Sequence, residues 1–104
     1  MKRLGGLLLL CCQAVPAFAA PDAARQNLLE HMVRQDCGSC HGMTLKGGLG
    51  SSLLPESLAG KDDAVLAATI LDGRPGTPMP PWRGLLSDED VRWIVDYLKE
   101  GRRD

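Results

Sequence analysis

Two cysteines three positions apart, with a histidine directly after the second, constrain this chain more than any other feature of its 104 residues: Cys37-Gly38-Ser39-Cys40-His41. Five residues this close occupy one tight turn, so both sulfurs and the imidazole must serve whatever that turn holds. C-x-x-C-H is the attachment pattern of a c-type haem. Its spacing lets two thiols add to the two vinyl groups on one porphyrin edge, and the adjacent histidine then sits beneath the iron as proximal ligand. Other uses of the same letters fit less well. A thioredoxin-like pair belongs in a βαβ setting, and no run here alternates at period two. A zinc site needs two further ligands, for which only His31 and carboxylates remain in the mature chain.

The first residues read as an export leader. Lys2 and Arg3 give a positive start, an apolar run follows through Cys12, and Ala17-Phe18-Ala19 supplies the small-x-small pattern of a cleavage site. We place the leader at 1–19 and a single domain at 20–104, in the periplasm. The apolar run is too short for the ~20 residues of a spanning helix. A lipid anchor on Cys11 or Cys12 is the rival reading, but Leu8, Leu9 and Leu10 stand where small residues are wanted. No membrane anchor is expected.

Cleavage leaves 85 of the 104 residues, with Cys37 and Cys40 as the remaining cysteines, which excludes a disulfide-rich scaffold. Losing Lys2 and Arg3 leaves ten basic against thirteen acidic side chains, a net charge of −3. No basic stripe with interleaved aromatics is present, so nucleic acid is not an expected partner. A chain of this size has a marginal core, and something should supplement it.

Three helical patterns stand out, and the expected fold is all-α. The first spans residues 23–36 after a cap at Asp22, with Leu28, Leu29, Met32 and Val33 as its apolar stripe. Residues 42–60, rich in Gly and Ser, read as an irregular loop. The second helix starts near Asp62, carries Val65, Leu66, Thr69 and Ile70, and stops at Gly73. Four prolines between Pro75 and Pro81 forbid helix and central strand, so that stretch should be extended and stiff. The last helix begins at Ser87, with Asp90 in the capping-box place. Val91, Ile94, Val95 and Leu98 form its apolar face, Trp93 and Tyr97 stack at i and i+4, and Gly101 closes it.

The sixth iron ligand decides between an electron carrier and an open site. Met43 follows His41 too closely to reach the opposite porphyrin face. Met32 and His31 lie in the first helix, where core filler and surface imidazole are the better readings. Met79 sits 38 residues after His41 in the proline-locked loop, which is long enough to cross to the far face. A thioether is a weak ligand, and a stiff loop loses little entropy in presenting it. His41 and Met79 are therefore the expected axial pair, which leaves one-electron transfer and no catalytic residue. The alternative is a haem enzyme or gas sensor with a labile sixth ligand.

One covalent haem c would also supply the missing core, among Leu45, Leu53, Leu54, Leu58, Val65, Ile70 and Leu85. Its propionates need donors, and Arg74, Trp82 and Arg83 flank the methionine loop suitably.

With these parts in place, the chain resembles a small class I cytochrome c over essentially all of its mature length. More narrowly, the stretch from Cys37 to Gly50 and the stretch Asp72-Gly-Arg-Pro-Gly-Thr-Pro-Met-Pro-Pro-Trp82 are similar to the NirC cytochromes of denitrifying bacteria. The resemblance implies three main helices around one haem, Cys37 and Cys40 as its attachment points, and His41 and Met79 on the iron. It implies two jobs: donating electrons to the cytochrome cd nitrite reductase, or serving an enzyme that matures its haem d. Electrons would arrive from a quinol-oxidising complex or another reductant.

Overall fold

A computed structural model describes residues 5–6 and 19–101. The expected leader, with Cys11 and Cys12, lies almost wholly outside the described residues. Among the described residues every regular element is helical, and no helix is long and apolar enough to cross a membrane.

Helix α1 (Ala23–Met32) starts where expected, with the Asp22 carboxylate accepting from the Arg25 amide at 2.8 Å. It does not end at residue 36. The chain continues through a π-helical segment (Val33–Cys37) into α2 (Gly38–His41), so the attachment turn is the end of one unbroken rod. A four-residue helix, α3 (Pro55–Leu58), lies inside the stretch expected to be irregular. Pro55 starts it, because proline's fixed φ suits a first helical position.

Helix α4 (Asp63–Asp72) is capped by Asp62, which accepts from the Ala64 and Val65 amides, and it stops at Gly73. Helix α5 (Asp88–Glu100) has the expected capping box. Ser87 Oγ accepts from the Asp90 amide, the Asp90 carboxylate accepts from the Ser87 amide, and Gly101 closes the helix in the left-handed conformation. Trp93 and Tyr97 stack with centroids 5.1 Å apart.

The core joins Leu29 and Val33 to Val91, Ile94, Val95, Tyr97 and Leu98, with Leu45, Leu58, Leu71 and Leu86 closing around them. Each such aliphatic side chain contributes about 1.5–3 kcal/mol by leaving water. Val65 and Leu85, expected among the residues around the haem, lie outside this core and are 63% and 66% exposed. Leu86 is buried in place of Leu85, a parity that no periodic pattern announces in a loop.

Polar ties fix the helices to one another. Arg25 reaches Asp90 from α1 to α5, Tyr97 donates to Glu30 at 3.3 Å, and Lys99 pairs with Asp63 across α5 and α4.

Candidate haem site

The π-helical segment carries the Gly38 amide back to the Val33 carbonyl, one residue beyond an α-helical bond. That extra residue rotates everything after it by about 100° relative to an uninterrupted helix. As a result Val33 and Gly38 are both buried, while Cys37 and Cys40 are half-buried one turn apart. Burial, reinforced by the Asp36 carboxylate, pushes the Cys37 thiol up to about 11. A redox-active pair needs a depressed thiol, so this environment argues against thioredoxin-like chemistry. Among the described residues, no group of three or more His, Cys, Asp or Glu side chains forms a metal-ion site.

His41 ends α2, and its Nδ1 lies 2.6 Å from the Ser51 carbonyl oxygen. A carbonyl oxygen only accepts, so Nδ1 carries the hydrogen, and the neutral ring keeps its lone pair on Nε2. This is the arrangement in which an outer partner orients an imidazole and raises its basicity toward a metal. Gly50 makes room for the ring. A Cβ there would stand 2.7 Å from Nδ1 and 2.8 Å from Cε1 of His41.

The loop is lashed back onto the helix that carries the histidine. The Gly47 amide donates to the His41 carbonyl and the Gly50 amide to the Cys40 carbonyl, each at 2.8 Å. These bonds also satisfy carbonyls that the end of α2 would leave unpaired. Leu45, buried with φ 60, accepts at its carbonyl from the Leu53 amide at 2.9 Å and closes the loop. Ser51 and Gly50 were not among the expected site residues. Their signal in the sequence is a density of glycine after His41, which reads only as a loop.

Met79 is half-buried and held independently of that turn. The Arg74 amide donates to the Met79 carbonyl at 3.2 Å, and the Met79 amide donates to Thr77 Oγ1 at 3.3 Å. Thr77 donates in turn to the Arg74 carbonyl at 2.7 Å. Gly73, at φ 70, lies so close that a Cβ would be 2.7 Å from the Met79 carbonyl oxygen. The stretch is therefore not extended throughout. The Thr77 amide closes a turn onto the Arg74 carbonyl at 3.1 Å, and Pro78, Pro80 and Pro81 stiffen the segment around the methionine.

Trp82 is half-buried against the core, and its amide donates to the Ile70 and Leu71 carbonyls. Arg74 is exposed beside Met79. Both keep side chains suited to a propionate. Arg83 does not, because Asp72 already takes its guanidinium at 2.8 and 3.0 Å, with Asp88 at 3.8 Å.

A histidine with a free Nε2 and a fixed Nδ1, two thiols one turn apart on the same rod, and a methionine on a stiff loop fit a covalent haem. Fold and donor set together define a class I c-type cytochrome. The family described as "Cytochrome C oxidase, cbb3-type, subunit III" matches residues 24–98. The chain is 55% identical over 98 residues to cytochrome c55X of Paracoccus denitrificans (strain Pd 1222), covering 94% of each. A solved structure of the c-type cytochrome NirC is similar at TM-score 0.78 and 61% identity, over 79% of this chain and 96% of that one. The dihydro-heme d1 dehydrogenase NirN, solved in complex with DHE, is similar at TM-score 0.62 and 43% identity, over 67% of this chain and 15% of that one. The chain belongs to the NirC, or c55X, family of c-type cytochromes, whose cofactor is covalently bound haem c.

Proposed function

We propose that this chain is an exported, periplasmic carrier of one electron at a time. It would hold a single haem through thioethers from Cys37 and Cys40, and His41 Nε2 and Met79 Sδ would ligate its iron. The haem, when bound, supplies an iron that alternates between ferrous and ferric states. The chain's own residues do the rest. His41 is oriented by the Ser51 carbonyl, Gly50 leaves space for its ring, and the Thr77–Arg74 turn presents Met79 with little freedom left to lose. Trp82 and Arg74 are the candidate propionate donors.

The observation that carries this reading is the 2.6 Å approach of His41 Nδ1 to Ser51, which commits the other ring nitrogen to a ligand. The physiological partner is the cytochrome cd nitrite reductase or an enzyme finishing its haem d. The similarity to NirN, a dehydrogenase of dihydro-heme d1, supports the second job. Electrons would come from a quinol-oxidising complex or another reductant.

The visible spectrum of the exported protein tests the site. Sharp reduced haem bands, together with the weak ferric band that reports iron–thioether bonding, are the expected result. Haem bands without that feature would replace the carrier with a ligand-binding site. To test the job, the reduced protein is mixed with each candidate partner enzyme, and the rate of its reoxidation is followed.

A further inference from the structure

The loop that carries Ser51 is held at both ends. Its first part is lashed to the helix of the histidine by the Gly47 and Gly50 amides. Its far end turns on Ser52, which is half-buried. Ser52 Oγ donates to the Leu45 carbonyl at 3.4 Å and accepts from the Leu54 amide at 3.2 Å and from Ser57 Oγ at 2.9 Å. A hydroxyl has one hydrogen to give and two lone pairs to fill, so none of its capacity is spare.

The Leu45 carbonyl is used as fully, since it also accepts from the Leu53 amide at 2.9 Å. Leu45 stands at φ 60, a left-handed conformation unfavourable for leucine, and its burial and these two donors hold it there. Ser57 lies in α3, which is seated on the end of α5. Leu58 is buried, and a Cβ on Gly101 would stand 2.8 Å from Pro55 Cγ. Ties therefore run from the last helix through Ser57 to Ser52. The carbonyl that faces His41 Nδ1 at 2.6 Å belongs to the planar peptide unit joining Ser51 to Ser52, so fixing Ser52 fixes its direction.

We propose that Ser52, backed by Ser57, is a positioning residue for His41: it aims the Ser51 carbonyl at Nδ1 and so helps to set the reduction potential. The role rests on His41 as an iron ligand, read above. A firm hydrogen bond from Nδ1 makes the imidazole a stronger donor through Nε2, which favours the ferric state. Loosening the peptide unit weakens that bond and moves the balance toward ferrous.

The test measures the reduction potential of holoprotein variants by voltammetry, and follows exchange of the His41 Nδ1 proton by NMR in the diamagnetic ferrous form. Ser52→Ala deprives the Leu54 amide and the Ser57 hydroxyl of their acceptor and leaves the Leu45 carbonyl with one donor. It should move the ferrous-to-ferric ratio at a fixed applied potential about threefold toward ferrous, a rise of about 30 mV at about 59 mV per tenfold for one electron. The Nδ1 proton should exchange faster by on the order of tenfold. Ser57→Ala should shift both readings the same way by less. A Ser52 that served stability alone would lower the Tm of Ser52→Ala and leave potential and proton exchange unmoved, and that result overturns the role. So does a potential that falls. If Ser52→Ala fails to mature, Ser57→Ala decides by the same readings. Wild-type spectra recorded first keep two failures apart: absent haem bands sink the carrier reading and this role with it, whereas intact spectra with an unmoved potential in the variants sink the role alone.

Discussion

Arg25 and Asp90, 65 residues apart, join the first and last helices through two hydrogen bonds of 2.7 and 3.2 Å. Asp90 is 6% exposed and also accepts from the Ser87 amide, so one carboxylate serves as helix cap and as interhelical tie. Arg25→Met would leave that carboxylate buried with only its cap bond. Because Arg25 is itself about a third exposed, the expected loss is about 1–2 kcal/mol. Each kcal/mol corresponds to a Tm lower by roughly 4–8 °C for a domain of this size, read in a thermal melt of the holoprotein.

The same pair predicts a pH dependence. The Arg25 hydrogen bond, opposed by desolvation and helped by the Ser87 amide, holds the Asp90 carboxyl below the usual carboxylate range. A depressed carboxyl stabilises the folded state above its unfolded pKa of about 3.9, and that contribution disappears as pH falls through the lower folded value. The gap in stability between wild type and Arg25→Met should therefore be full at neutral pH and shrink below about pH 4. Denaturant midpoints measured across that range check it. A gap that widens in acid would mean the pair works differently.

Gly50→Ala should disturb the histidine more than the fold. The added methyl meets the His41 ring at 2.7 Å, so the ring must turn or the loop must back away, and either weakens the bond to Ser51. Overpacking of this kind costs about 1–3 kcal/mol. A less basic imidazole favours the ferric state less, so the reduction potential should rise relative to wild type. Voltammetry and a thermal melt on the same sample give both numbers.

Replacing methionines one at a time tests the sixth ligand. Met79→Leu should abolish the iron–thioether band and lower the potential, while Met32→Leu and Met43→Leu should keep both. Survival of the band in Met79→Leu would transfer the role to another residue.

Thr77→Val removes the hydroxyl that joins Met79 to Arg74 while keeping the side chain's shape. Losing about 1 kcal/mol of loop order should raise the binding of exogenous imidazole to ferric protein by about fivefold. An unchanged affinity would show that the prolines alone hold the loop.

The elements legible in the sequence were those with a period or a cap. Helix α5 announces itself through Ser87, Asp90, a four-residue apolar rhythm and Gly101, and α4 through Asp62 and Gly73. What stayed hidden has no period. One turn at Pro55–Leu58 is too short to show a stripe. The rod through Cys37 to His41 crosses Gly38 and Ser39, which are poor helix formers, and only the hydrogen bonds of the folded state carry it on. At the proposed haem site, Cys37, Cys40, His41 and Met79 stand out in the sequence by residue type and spacing. The Gly50 and Ser51 support does not, since a ring lying against a backbone is a fact of three dimensions.

The π-helical turn gives the opening segment an unusual tolerance rule. Arg34 pairs with Glu30 at 2.7 Å, but Gln35 and Asp36 are exposed, and many side chains would serve at those two positions. The number of residues is another matter. Leu29 and Val33 face the core from one side of the extra residue, and Cys40 and His41 take their bearings from the other. Deleting a single amino acid between Val33 and Cys37 would swing the attachment turn by about 100° while sparing every core contact of α1. In that stretch spelling is looser than counting.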